Sequence, residues 1–136
     1  MDSPSTVRSV SGDSGPTELV ALGHAGSERY AGLETFANPG VARVEMTSDE
    51  LTTKGPVNEQ PDLYVCTIEY RPDGLCLESK SLKLYLYRLR DEVVFCEALA
   101  VQIRDDVATA LEVPADRVRV TLRQKPRGGI TIVAST

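Results

Sequence analysis

The sequence predicts an α+β fold in which an antiparallel sheet is covered on one face by two helices. Three observations support this class. Residues 63–70 are rich in β-branched and aromatic side chains, and residues 117–123 alternate between apolar and polar, both as expected of strands. Residues 97–111 carry apolar side chains at helical spacing. The order along the chain is strand pair, two helices, strand pair, and two helices pack naturally on one face of such a sheet.

Length and composition suit one domain. The chain has 136 residues, of which 41% are hydrophobic, which is enough for one core. Residues 1–30 are rich in Ser, Gly and Thr and show little periodicity, so we expect a disordered N-terminal tail there and one domain over residues 31–136. The single histidine, His24, falls in this tail, where a solvated residue is favoured over a catalytic one.

Charge and cysteine content argue against several function classes. The formal net charge is -5, whereas nucleic-acid binding needs clustered Lys and Arg, so no nucleic-acid partner is expected. Three cysteines without CxxC or Cys/His spacing argue against a metal site and fit free thiols in a reducing cytosol. The sequence has no long apolar run for a membrane helix and no secretory signal pattern, so we expect a cytoplasmic protein without a membrane partner.

The first half of the chain predicts strands around a turn-rich loop. Residues 41–46 alternate loosely as a strand. Residues 51–63 contain two prolines, a glycine and an asparagine, which indicates a loop that leads into the strand at 63–70. Residues 71–74, Arg-Pro-Asp-Gly, are a strong turn signal, so residues 75–77 are expected to return as the second arm of a hairpin.

The second half predicts two helices and a second hairpin. Residues 79–90 fit both strand alternation and helical spacing; good helix formers, with Ser79 or Ser81 as a cap, favour a helix. The helix at 97–111 ends before Pro114. Its predicted inward face consists of Ala98, Val101, Val107, Ala108 and Leu111. Strands at 117–123 and 130–133 follow, joined by a turn at 126–129.

Four segments form a recognisable pattern: Leu33-Glu-Thr-Phe36, Gln60-Pro-Asp62, Glu78-Ser-Lys-Ser-Leu-Lys-Leu-Tyr-Leu86 and Pro126-Arg-Gly-Gly-Ile130. Together they resemble the NADPH-dependent 7-cyano-7-deazaguanine reductases, the nitrile reductases of queuosine biosynthesis, in their short single-module form. The Glu-Ser-Lys-Ser-Leu-Lys stretch is the most specific of the four. The resemblance implies the tunnelling fold (T-fold), in which ββααββ units assemble into a homo-oligomeric barrel with active sites between subunits.

The loop departs from that family at the position of the nucleophile. The family pattern is Leu-Thr-x-Leu-Cys-Pro-x-Thr-Gly-Gln-Pro-Asp, and this sequence has Leu51-Thr-Thr-Lys-Gly-Pro-Val-Asn-Glu-Gln-Pro-Asp62. The resemblance implies that the family's Cys captures the nitrile carbon as a thioimide, which NADPH reduces while the Asp donates a proton. Asp62 is kept, but Gly55 stands at the Cys position, and glycine has no thiolate to offer.

A second departure lies at Phe95-Cys96-Glu97, where the family has Phe-His-Glu. The resemblance implies that Cys96 lines the substrate site and that Glu78 and Glu97 bind the deazapurine edge, which suits a carboxylate that accepts two N–H donors. Structural roles stay open for each of these residues. Asp62 fits a cap at a strand start, Glu97 fits the first turn of a helix, and Cys96 fits a small buried residue.

The resemblance also implies contacts to the phosphate groups of NADPH. The matching positions in this sequence are Ser79, Lys80, Lys83 and Arg127. Lys80 and Lys83 are three residues apart and therefore share a helix face. A solvated basic face or a subunit contact is the alternative interpretation. The resemblance thus implies NADPH as a cofactor, and the cysteine spacing leads us to expect no metal.

Several functions remain open at this point. The leading hypothesis is a divergent enzyme in which Asp62 and Glu97 carry non-covalent acid/base chemistry on a small heterocyclic or other biosynthetic intermediate. Its substrate pocket would contain Glu78, Glu97, Cys96 and Gly55. The alternatives are a non-catalytic deazaguanine-binding protein, a structural partner of a true reductase, or a reductase with a relocated nucleophile. Cys96 is the candidate for that nucleophile, although the adjacent Glu97 charge would raise a thiol pKa.

Overall fold

Two helices pack on one face of a four-stranded antiparallel sheet in the computed structural model, which describes residues 32–136. The predicted tail at residues 1–30, with His24, lies outside the described residues. The elements are β1 (Thr35–Ala37), β2 (Val44–Lys54), β3 (Pro61–Tyr70), β4 (Leu75–Leu77), α1 (Ser79–Arg88), α2 (Cys96–Leu111), β5 (Val118–Arg127) and β6 (Ile130–Ser135). Short 3-10 turns at Leu89–Asp91 and Ala115–Arg117 follow α1 and precede β5.

The predicted α+β class is confirmed, but the first hairpin is formed by β2 and β3 and not by the two strands that we predicted. The large sheet has the order β2-β3-β5-β6, so β3 pairs with β2 rather than with β4. The expectation that residues 75–77 return against residues 63–70 was therefore wrong, because β4 pairs with β1 in a separate two-stranded sheet. The predicted loop at 51–63 is also shorter, since β2 runs through Lys54 and β3 begins at Pro61.

Strand alternation decides which side chains face the helices. Along β3, every second side chain is buried, from Asp62 to Tyr70. A register irregularity in β2 between Ser48 and Leu51 keeps the inward side of that strand aligned with β3. In the described part of the chain no element covers the opposite face, where Leu63 is 44% exposed.

Both predicted helices are confirmed, with differences in caps and faces. Glu78, not Ser79 or Ser81, caps α1: its side chain accepts the backbone N–H groups of Lys80 and Ser81. In α2, Ala98 and Val101 are exposed, so the predicted inward face was wrong in these two positions. The buried face instead starts at Cys96, the first residue of the helix, and continues at helical spacing. It consists of Cys96, Leu99, Ala100, Ile103, Val107, Ala108, Ala110 and Leu111.

Candidate functional site

The turn between β2 and β3 is closed by main-chain hydrogen bonds. The Gly55 N–H donates to the Gln60 carbonyl at 2.8 Å, and the Glu59 N–H donates to the Gly55 carbonyl at 2.8 Å. Glu59 takes a left-handed conformation with φ of 59°, and Asn58 Oδ1 accepts the Gln60 N–H at 3.1 Å. The shape of this turn therefore does not depend on a side chain at position 55.

A short parallel pairing brings the start of α2 to this turn. Lys54 forms a bridge with Val93. The Lys54 N–H donates to the Glu92 carbonyl at 2.9 Å, and the Val94 N–H donates to the Lys54 carbonyl at 3.3 Å. Because α2 begins at Cys96, this pairing places Cys96 and Glu97 beside Lys54 at the end of β2, although Cys96 follows Lys54 by 42 residues in the sequence.

Asp62 is buried at the start of β3 and directed toward Gly55. Thr53 is its partner in the β2–β3 ladder. A Cβ placed on Gly55 would lie 3.2 Å from Asp62 Oδ2, 3.3 Å from the Gln60 carbonyl oxygen and 3.7 Å from Asn58 Oδ1. The position that holds the nucleophile in the resembling family thus faces the predicted acid, but here it carries no side chain.

Arg127 holds the strand that carries Asp62. Its Nε lies 3.4 Å from Asp62 Oδ1. The two terminal nitrogens donate to Gln60 Oε1 and to the Pro61 carbonyl, both at 2.5 Å. Arg127 was predicted to contact a cofactor phosphate, whereas the structure places its guanidinium against three consecutive residues of the site.

Cys96 lies in the same cluster and is 2% exposed. Burial and, to a smaller extent, the charges of Glu97 and Asp62 raise the pKa of its thiol to about 11, against the lowering effect of a hydrogen bond with the Ala134 backbone. At neutral pH, Cys96 is therefore a protonated thiol beside two carboxylates, a poor nucleophile.

The sequence reasoning missed two hydroxyl groups at the base of the site. Tyr64 is fully buried, and its hydroxyl lies 3.1 Å from Thr53 Oγ1. Burial raises the pKa of Tyr64, the Thr53 hydrogen bond lowers it, and the charges of Asp62, Cys96 and Glu97 raise it again. The inward register of β2 and β3 would have revealed both residues, but that register depends on a pairing the sequence did not predict.

Glu78 has both carboxylate oxygens occupied. Oε1 accepts the Ser81 N–H at 2.6 Å and Oε2 accepts the Lys80 N–H at 2.7 Å. The residue is buried, and its own N–H donates to the Glu34 carbonyl at 2.9 Å. In this structure Glu78 caps α1, and a ligand would compete with two charge-assisted hydrogen bonds for it.

The predicted cofactor residues Ser79 and Lys83 line a separate groove between α1 and β2. The groove has a volume of about 490 Å³, and Asp49 and Glu50 also line it. Cys66 lies in its floor, four residues along β3 from Asp62, which corresponds to about 13 Å at the rise of a strand. Lys80 is on the same helix and half-buried.

The structure thus divides the predicted site residues into two groups within one chain. Gly55, Asp62, Cys96 and Glu97 come together, and Arg127 joins them. Glu78, Ser79, Lys80 and Lys83 belong to the start of α1. Among residues 32–136, no group of three or more His, Cys, Asp or Glu side chains is placed to hold a metal ion. No helix in this range has the length and apolar character needed to cross a membrane.

Comparison with known proteins shows the family. The profile of a family described as QueF-like protein matches residues 61–136. A protein of Frankia casuarinae named NADPH-dependent 7-cyano-7-deazaguanine reductase is 40% identical over 119 residues, covering 87% of this chain and 94% of the relative. A protein of the same name from Nitrosospira multiformis is 44% identical over 107 residues, covering 75% and 76%.

A solved structure shares the fold. The crystal structure of the archaeosine synthase QueF-Like in the apo form matches with a TM-score of 0.64 and 20% identity, covering 71% of this chain and 93% of that chain. This likeness and the order of the elements agree with the tunnelling fold that the family resemblance implies. With relatives of about 40% identity along most of its length, the chain belongs to the family of QueF-like proteins.

Proposed function

We propose that this chain binds a small heterocycle of the 7-deazaguanine type and performs acid/base chemistry on it without covalent capture. The relatives' names identify 7-cyano-7-deazaguanine as their substrate and NADPH as their reductant. The chain keeps the two acids that the resemblance assigns to this chemistry, Asp62 and Glu97, and it lacks the thiol. The retained acids and the missing thiol together fit a protein that binds a ligand of the same class but carries out a different reaction.

The geometry around Gly55 carries this proposal. The Cβ direction of Gly55 points at Asp62 Oδ2, only 3.2 Å away, so the acid keeps its place opposite the missing nucleophile. Reduction through a thioimide needs a thiolate at this point. Cys96 does not replace it well, because the thiol is buried and its pKa is raised to about 11.

The two acids suit different roles. Asp62 is buried and faces Gly55, the position of the family's nucleophile, which fits proton transfer at the reacting end of a ligand. Glu97 is exposed in the first turn of α2, which fits a carboxylate that accepts two N–H donors from a guanine-like edge. A carboxylate in the first turn of α2 also interacts favourably with the helix macrodipole.

A second copy of the chain would complete the pocket. Within one chain, the residues at the start of α1 lie away from Asp62; they are Glu78, Ser79, Lys80 and Lys83. The α1 residues of one chain and Asp62 of another therefore contact the same ligand only across a subunit boundary. Lys80 and Lys83 present two cationic side chains that suit phosphate groups, and they are the residues we assign to NADPH. NADPH supplies hydride when it is bound. Arg127 fits this assignment poorly because its donors are engaged at the turn.

Isothermal calorimetry with 7-cyano-7-deazaguanine tests the proposal, with Glu97→Gln as the matched variant. Binding that is lost in Glu97→Gln supports the pocket, and NADPH absorbance recorded in parallel detects reduction. Absence of binding by the unaltered protein would reject a deazaguanine ligand. NADPH consumption that Cys96→Ala abolishes would instead establish a reductase with a relocated nucleophile. Binding in which no product forms from any deazapurine would identify a non-catalytic binding protein.

A further inference from the structure

Apolar side chains from three elements line the groove between α1 and β2. They are Met46 of β2, Cys66 and Ile68 of β3, and Leu82 and Leu86 of α1. The volume of the groove, about 490 Å³, is in the range of pockets that enclose a small molecule. The acids proposed for proton transfer and substrate binding lie outside this groove, so its apolar interior has no role in that chemistry.

The strand side of this groove is incompletely covered. β2 is an edge strand of the large sheet, so among residues 32–136 no strand pairs with the outer side of residues 44–48. Met46 packs against the core yet is only half-buried, and Tyr87 near the end of α1 is 55% exposed. Ile68, on the neighbouring strand, is 1% exposed. Burial of the remaining apolar surface would be favourable, so the groove suits an apolar occupant.

The described part of the chain starts at the same end of α1 as the groove. The Glu34 N–H donates to Ser81 Oγ at 2.9 Å, and the Glu34 carbonyl accepts the Glu78 N–H at 2.9 Å. Leu33 is 4% exposed and belongs to the core. Both hydrogen bonds are made at the first turn of α1, and Ser79 of this turn lines the groove. Residues 1–31 are therefore joined to the domain within one helical turn of the groove.

The sequence of residues 1–31 contains one apolar run that could fill the groove. Leu19-Val-Ala-Leu22 is the only stretch of three or more consecutive apolar residues in this part of the sequence, and it carries no charge. Ten residues, 23–32, separate the run from Leu33, and they can span up to about 33 Å. The part of α1 that lines the groove, from Ser79 to Tyr87, is about 12 Å long. The run can therefore reach all of the groove.

We infer that the apolar run at residues 19–22 binds in the groove of its own chain and covers Met46, Leu82 and Leu86. This inference goes beyond the proposed function and is independent of it, since neither Asp62 nor Glu97 takes part. A segment joined by a short linker has an effective concentration on the order of a millimolar, so even a weak apolar contact forms. A second copy of the chain would have to reach the groove by diffusion, at the concentration of the protein in solution.

NMR of methionine methyl groups tests this inference, because Met46 lines the groove and is one of only two methionines in the chain. We expect the Met46 methyl signal to shift in the double variant Leu19→Asp/Leu22→Asp, since two apolar side chains leave its surroundings. Val7→Asp/Val10→Asp is the matched control, with the same change in charge, and should leave the signal in place. A Met46 signal that is identical in the wild type and in Leu19→Asp/Leu22→Asp would contradict the inference.

A nitroxide spin label at Thr17→Cys shows whose groove the run occupies. The three native cysteines are buried, which favours labelling at the new thiol. The label should broaden the Met46 signal of its own chain. In a mixture of spin-labelled protein without ¹³C and ¹³C-labelled protein without the spin label, the signal should stay sharp. Broadening in this mixture would place the run on a neighbouring copy and overturn the inference. A Met46 shift that depends on protein concentration and persists in Leu19→Asp/Leu22→Asp would assign the groove to a second copy instead.

Discussion

Nε of Arg127 lies 3.4 Å from Oδ1 of Asp62, and this contact joins the end of β5 to the start of β3. The same guanidinium also holds Gln60 and Pro61. The Pro-Arg-Gly-Gly segment thus has a structural task in this chain: the hairpin between β5 and β6 holds the turn that contains Gly55. The planar guanidinium group presents its N–H donors in a fixed arrangement, which suits acceptors on the three consecutive residues Gln60, Pro61 and Asp62.

Replacement of Arg127 by Gln should loosen the turn rather than unfold the domain. Because the side chain is 40% exposed, the free energy of unfolding should fall by only about 1 kcal/mol or less. The Gly55 and Glu59 amides, which are bonded within the turn, should exchange with solvent faster in native-state hydrogen exchange. Arg123→Gln, on the same strand, is the control and should leave these rates unchanged. Unaltered exchange in Arg127→Gln would return this residue to a role in anion binding.

Tyr64 and Thr53 should be energetically coupled. Tyr64→Phe leaves the buried Thr53 hydroxyl without its partner, and Thr53→Val leaves the phenol without one, so each should cost about 1–3 kcal/mol. The double variant should cost less than the sum of the two. Chemical denaturation of the four proteins measures the coupling. Strict additivity would show that the 3.1 Å contact contributes nothing to stability.

The thiol of Cys96 should make stability depend on alkaline pH. Its pKa is raised from 9.0 to about 11 in the folded chain, so the folded state retains a proton that the unfolded state loses. The corresponding stabilisation is complete below pH 9 and is lost as the pH rises to about 11. Over this range, the free energy of unfolding should therefore fall more steeply for the wild type than for Cys96→Ala.

Thr109→Ala provides the control for this comparison, since it changes an exposed side chain of α2 that does not titrate. Its denaturation curves should follow the pH dependence of the wild type. Parallel curves for the wild type and Cys96→Ala would show that the thiol is not buried beside the carboxylates as described.

Gly55→Cys alone should not restore nitrile reduction. The new Cβ would lie 3.2 Å from Asp62 Oδ2, tight enough to displace its neighbours by a few tenths of an ångström, and the carboxylate would disfavour a thiolate. Cys96 also stands where the family has a histidine. NADPH oxidation and mass spectrometry for a covalent adduct measure the outcome. Substantial turnover would mean that the remaining site is still that of a reductase.

Glu78→Ala should destabilise α1. Loss of a side chain that caps two N–H groups costs about 1–2 kcal/mol, whereas Glu78→Gln keeps one acceptor and should cost less. Thermal unfolding of both variants measures this. A fully stable Glu78→Ala protein that has lost ligand affinity would show that binding, not capping, is the main task of this residue.

The fold was predictable where the pattern is local. The helices and the last hairpin follow from spacing and turn chemistry within short windows. The pairing of Leu75–Leu77 with Thr35–Ala37 was not predictable in this way, because three-residue strands carry little register information and their partners are about forty residues apart. The turn signal at residues 71–74 suggested that residues 75–77 pair with the preceding strand, β3. They pair instead with β1, which is distant in the sequence.

The site was predictable only in part, for a similar reason. The resemblance identified Gly55, Asp62 and Glu97, and the structure brings these together. It did not indicate Tyr64 or Thr53, because both appear as ordinary core positions until the β2–β3 register is known. It also gave no account of the Arg127 contacts, which depend on where the end of one hairpin meets the turn of another.

The turn at Gly55 is built from main-chain bonds, and this has a consequence for how such a chain changes over time. Since the Gly55 and Glu59 amides hold the turn without help from a side chain at position 55, that side chain can be lost or exchanged while the acids around it stay in place. A single codon can thus alter the chemistry while the scaffold is inherited intact. Proteins of this architecture can therefore give up one reaction before they acquire another.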